Sequence, residues 1–225
     1  MSLIKNLHKC LCACALLAQA AGATTVIQSS GNSDASLPLG YYAPYASYGM
    51  TPIVYAVGWT ETSDYTDLDV FANLFTVGSP GTVDYELVTA LGPGTSFAAD
   101  GIAGGTVSTP TNPADVSLFQ LSFLQAGTYY LVLSSNVADT AWQYNYPIQS
   151  NNTMDTGVEY LGGQWSYGSS IDTSYTPGSS FTGVGYPVEF SVQGTVVTPE
   201  PATFAVAGIG LVGLSMALRA IRTQQ

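Results

Sequence analysis

The runs "DLDVFANLFT" and "TVDYELVT" alternate apolar and polar residues with a period of two, and that periodicity limits the possible folds more than any other feature. In the first run Leu68, Val70, Ala72 and Leu74 share one face; in the second, Val83, Tyr85 and Leu87 stand against Asp84 and Glu86. Successive side chains of a strand point to opposite faces, so such runs bury one face of a sheet and leave the other wet. "GTYYLVLSS" and "YPVEFSVQGTV" keep the same period, and "IVYAVGWT" is β-branched and aromatic. Turn clusters such as "VGSPGT", "LGPGTS" and "TNPAD" separate the runs, and no helical stretch precedes the C-terminal one. The pattern predicts an all-β chain with a single antiparallel β-sandwich or jelly-roll ectodomain over residues 53–197. Residues 24–52, rich in Ser, Gly, Pro and Tyr, show little periodicity and read as an approach segment, part flexible and part edge strand.

Charge placement narrows the function. The 225 residues carry 15 Asp and Glu against 4 Lys and Arg, for a formal charge of -11. The cations are Lys5, Lys9, Arg219 and Arg222; His8 is the sole histidine, and Cys10, Cys12 and Cys14 are the only cysteines. The body of the chain therefore has no imidazole, thiol or amine to serve as a hydrolase base or zinc ligand, and no enzyme is expected. A carboxylate-rich surface without cations also repels nucleic acid. Oxygen ligands, amides and aromatic faces are what remain.

The two ends read as addresses. "MSLIKNLHKCLCACALLAQAAGATT" joins a basic start to a short apolar stretch and small residues, as secretory signals do. Cleavage fits after Ala20 or after Ala23; the second is preferred and gives a signal peptide at 1–23 for signal peptidase. "LCAC" ahead of Cys14 half resembles a lipoprotein box, an alternative that the four residues between Lys9 and Cys14 disfavour. Once the signal is removed no cysteine is left, so export proceeds without disulfides. At the other end the uncharged run at about 202–218 reaches roughly 25 Å as a helix, thinly enough to cross a hydrocarbon core of about 30 Å. Arg219 and Arg222 follow as a membrane stop, leaving the body outside the cytoplasm. A short permanent anchor or a buried core helix are the plainer readings of this run.

Pro199-Glu200-Pro201, then a small-residue-rich apolar run, then basic residues at the extreme C-terminus resemble the PEP-CTERM sorting signal recognised by exosortases, the membrane-embedded cysteine transpeptidases of bacteria with outer membranes. The resemblance covers about residues 198–225. It implies that Pro199, Glu200 and Pro201 form the recognition motif and that the apolar run is a transient membrane helix. It also implies an inner-membrane intermediate followed by the cell surface, outer envelope or extracellular matrix. "FTVGSPGTVDYELVTALGPGT" and "LSFLQAGTYYLVLSS" are similar to paired strands of β-sandwich ectodomains common among PEP-CTERM proteins and, more loosely, to bacterial prepeptidase-like C-terminal domains. That likeness implies a structural or adhesive module.

Two candidate sites lie in the body. "ETSDYTDLD" brings Glu61, Asp64, Asp67 and Asp69 close in sequence, and calcium favours such acidic oxygen donors in extracellular modules; a solvated acidic turn is the competing reading. Trp142 and Trp165 sit among Ser, Asn, Gly and Tyr, where indole faces stack on sugar rings, against the alternative of ordinary sandwich packing. Trp59, between apolar neighbours, reads as core. The function expected is an exported structural or adhesive protein of the envelope or matrix, with a carbohydrate-binding module for exopolysaccharide as the alternative.

Overall fold

In the computed structural model, which describes residues 23–30, 35–39, 53–92, 95, 97–135, 137, 139–144, 151–167, 182–184 and 187–197, the alternating runs are strands. In chain order they are β1 (Thr24–Ser30), β2 (Ser36–Pro38), β3 (Ile53–Glu61), β4 (Tyr65–Thr76), β5 (Gly81–Val88), α1 (Phe97–Asp100), β6 (Gly101–Thr109), β7 (Ala114–Leu124), β8 (Gly127–Ser134), β9 (Thr140–Gln143), β10 (Asn151–Met154), β11 (Val158–Tyr167), β12 (Thr182–Val184) and β13 (Phe190–Val196). They form two antiparallel sheets. The first, of seven strands, runs β10-β1-β13-β4-β9-β2 with β7 also paired to β4; the second, of six, runs β12-β11-β3-β8-β5-β6.

β4 shows why the alternating runs pack this way. Leu68, Val70, Ala72 and Leu74 all face the interior and are at most 1% exposed. They meet Tyr55, Val57, Trp59, Leu131 and Leu133 of the second sheet in the main core. β3 is buried on both faces: Val54 and Ala56 join Val88 and Val132 in a second, smaller core, against which Phe97 of α1 packs. A strand covered on both sides has no reason to alternate, which is why "IVYAVGWT" is apolar throughout.

Two differences from the sequence reading stand out. The first concerns residues 24–52: β1 is an interior strand, paired to β10 on one side and β13 on the other. A register shift between Thr25 and Ile27 lets the consecutive residues Val26 and Ile27 both be buried, and this bulge hides the strand's period. Second, a helix of one turn, α1, precedes the C-terminal segment. Among the described residues no helix is long and apolar enough to cross a membrane. The signal segment before residue 23 and the expected transmembrane helix at 202–218 lie outside the described residues.

Candidate functional site

The acidic stretch falls at one end of the sandwich, where β3 turns into β4. β3 directs Tyr55, Val57, Trp59 and Glu61 inward by alternation, so Glu61 enters the core with 2% of its surface exposed. Its Oε2 accepts a hydrogen bond from Trp59 Nε1 at 3.3 Å, while Oε1 is buried without a partner. Burial pushes its carboxyl up from 4.5 to about 8; the Trp59 bond opposes this shift and the Asp64 charge adds to it. Asp64 lies in the turn, its Oδ1 accepting from Ala126 N at 2.8 Å.

Asp67 and Asp69 flank the inward Leu68 and therefore leave the strand on the opposite face. Asp67 is exposed and holds a left-handed φ of 53°, because β4 carries an extra residue there against β13, between the pairs Gln193↔Asp69 and Thr195↔Thr66. Strand geometry thus scatters the four expected calcium ligands, Glu61 inward and Asp67 and Asp69 outward. Among the described residues no three His, Cys, Asp or Glu side chains are placed to hold a metal.

Other residues gather around Glu61 instead. Tyr65 donates to Asp155 Oδ2 at 3.3 Å, and burial, helped by the Asp155 charge, pushes its hydroxyl up to about 12. Tyr129 donates to the Gln125 carbonyl; burial raises its pKa, with Glu61 and Asp64 adding to the effect. Asp155 N donates to Val26 O at 2.9 Å, tying the β10–β11 turn to β1. Sequence reading missed Tyr65, Tyr129 and Asp155, whose partners lie up to 90 residues away and leave no local signal.

Of the two tryptophans chosen for sugar stacking, Trp142 offers no free face. Trp142 on β9 is 0% exposed, donates from Nε1 to Glu189 O at 2.8 Å and meets Tyr55 edge-on with centroids 5.8 Å apart. Packing between two sheets consumes both sides of its indole, so the expected role for Trp142 is corrected to core. Trp165 stands in β11 opposite Tyr55 and Thr182 in register, and its side chain lies outside the described residues. Trp59 is core, as its neighbours suggested.

The acidic end is also where the chain leaves the sandwich. β13 is an interior strand between β1 and β4, and the next residue, Val197, donates its amide to Asp64 O at 2.8 Å. Pro199, Glu200, Pro201, Arg219 and Arg222 lie beyond, outside the described residues. The fold defines an all-β, two-sheet domain whose described residues end one position past the interior strand β13.

That segment matches a known family. Residues 197–222 fit the model of the PEP-CTERM protein-sorting motif, so the chain carries that motif. The motif is a recognition signal for exosortase processing and marks export and sorting to the cell surface or beyond. The match begins at Val197, the residue that the Asp64 carbonyl holds. No curated protein matches the chain.

Proposed function

We propose that the sandwich is a non-catalytic structural or adhesive module of the envelope or extracellular matrix, carried there by its sorting motif. The observation that supports this reading is the junction. The motif starts where β13 ends, so what an exosortase delivers is a rigid two-sheet domain held at the base of an interior strand. The polar groups at that base are engaged in holding the fold: Asp64 bonds two backbone amides through its carbonyl and carboxylate, and Asp155 takes up Tyr65. Calcium is not required by this arrangement, and the exported domain relies on packing.

The test compares a deletion strain with one complemented by the full chain. Loss of matrix cohesion on deletion, restored by the wild type and not by a chain lacking Pro199-Glu200-Pro201, is the expected result. Unchanged cohesion in the deletion strain would overturn the structural role. Recovery from the cell surface of protein whose C-terminal peptide still reaches Gln225 would separately show that sorting proceeds without cleavage.

A further inference from the structure

One lateral side of the sandwich consists of two strands that each have a partner on one flank only. Among the described residues β6 pairs β5 alone and β7 pairs β4 alone. The two are consecutive in the chain and belong to different sheets, so they present the open edges of both layers. An unpaired edge is a template for another strand, and proteins ordinarily protect it with Lys, Pro, inward charges or brevity. Here β7 has 11 residues and β6 has 9, and the two strands together contain no Lys, Arg or Pro and a single charge, Asp115. A bulge interrupts each, near Leu118 in β7 and near Ile102 in β6, but Phe119–Leu124 runs in regular register with β4. Phe123, in that regular stretch, is 51% exposed.

The rest of the molecule favours one occupant. The chain has 15 carboxylates, and all the cations lie at its two ends, so two copies repel each other wherever charged faces meet. The β6–β7 side is almost free of charge and is where like-charged copies can approach. The sequence of β7 is also self-complementary in antiparallel pairing. Phe119 and Leu121 face the interior, opposite Val70 and Leu68 of β4. A two-fold axis through Leu121 keeps the inner faces of both copies on one side. It sets Phe119 against Phe123 of the second copy, Gln120 against Ser122, and Leu121 against Leu121. The two Asp115 carboxylates then stand twelve strand positions apart, roughly 40 Å, far beyond the screening length of about 8 Å. Phe123 is turned outward with its partner Thr66 while Leu124 enters the core, so its exposed ring lies on the outer face of the seam, where the second copy covers it.

We propose that this protein self-associates edge to edge through β7, an antiparallel β7–β7 junction centred on Leu121 that joins the seven-stranded sheets of two copies into one continuous layer. The inference goes beyond the sorting reading and stands on the sheet edges alone. The register makes a specific demand: residue 120 of one copy faces residue 122 of the other. Gln120 and Ser122 are both exposed, so each tolerates a charged side chain without disturbing the core.

Sedimentation equilibrium of the full chain in density-matched detergent is the test, over a concentration series. The wild type is expected to dimerise. Q120E/S122E places glutamates opposite glutamates twice, with Asp69 of β4 already opposite residue 120, and should weaken the dimer by about tenfold or more, whereas Q120E/S122K places glutamate opposite lysine and should restore it. A monomeric wild type, a Q120E/S122E dimer of unchanged affinity, or a Q120E/S122K chain that stays monomeric would each overturn the proposal. Amide exchange keeps the test independent of variants: protection at Phe119–Phe123 should rise with wild-type concentration, and concentration-independent exchange there would also refute it.

Discussion

Glu61 offers the most direct check on the reading of the sandwich end. Its carboxyl is buried, has one hydrogen bond from Trp59 and, among the described residues, no cation nearby, and its pKa rises from 4.5 to about 8. An acid that titrates higher in the fold than in the open chain binds its proton more tightly when folded. Its stabilising contribution is therefore complete below about pH 4.5 and is lost as the pH rises through about 8. At about 1.4 kcal/mol per pH unit, the loss between pH 4.5 and pH 7 is about 3 kcal/mol. Glu61→Gln removes this titration while keeping the shape and an acceptor for the Trp59 indole. Urea denaturation of both proteins from pH 4.5 to 9 isolates the effect, because every other carboxylate is common to the two. The variant should match the wild type at pH 4.5 and exceed it by about 3 kcal/mol at pH 7, the gap widening up to pH 8 and then levelling. A gap that is constant with pH, or one that narrows as pH rises, would show that Glu61 is charged in the fold and that its burial has been misread.

Three further outcomes follow from local geometry. Thr76, Thr109 and Thr140 form a buried hydroxyl chain at the far end of the sandwich, with Thr76 Oγ1 2.6 Å from Thr109 Oγ1 and 3.0 Å from Thr140 Oγ1. Thr76→Val leaves buried hydroxyls unsatisfied and should cost about 1–3 kcal/mol in urea melts. Gly81→Ala, whose methyl would press on Thr76 Oγ1, should disturb the same chain and destabilise measurably by the same assay. At the bulge, Asp67→Val should cost about 1–3 kcal/mol because its φ is left-handed, while Asp67→Gly should fall within a few tenths of the wild type. Thermal melting with and without a chelator should give the same midpoint, since Glu61, Asp67 and Asp69 diverge from one another.

The fold class was legible because β4 and β5 each have one dry face: Leu68, Val70, Ala72 and Leu74 are the buried set read from alternation. β1 was not legible, because its bulge buries two neighbours in a row and erases the period over a strand of seven residues. The site divides the same way. The sorting motif is linear, read by a partner as sequence, and was therefore visible as sequence. The acidic stretch was visible as composition but misjudged as a cluster, because closeness along a strand sends neighbours to opposite faces and a positive φ at Asp67 turns it outward again. Tyr65 meets Asp155 across 90 residues of sequence, and β3–β8 pairing brings Tyr129 near Glu61; no local pattern announces either. Trp142 looked like a ligand face among polar neighbours, but β9 inserts it between the sheets, where Tyr55 and the Glu189 carbonyl take up its ring and its N–H.

A body without cations must satisfy its carboxylates in another way, and the structure shows how. Asp64 takes a backbone amide, Asp155 a tyrosine, Asp84 the Thr106 hydroxyl at 2.5 Å, Glu189 the Asn73 amide at 3.2 Å and Glu61 an indole. Each donor is neutral. The long-range electrostatics of the body are then repulsive throughout, because all the carboxylates lie between the two basic ends. Salt in such a protein has only repulsion to screen: the Debye length falls from about 30 Å at 0.01 M to about 8 Å at 0.15 M, shorter than the reach across the sandwich. Added sodium chloride should therefore raise the urea midpoint of the wild type, steeply at first and then levelling as the remaining pairs become too close to screen. A midpoint that falls with salt would mean that attractive ion pairs hold the fold together, and in a body that has no lysine or arginine they would have to come from the chain ends, Lys5, Lys9, Arg219 and Arg222.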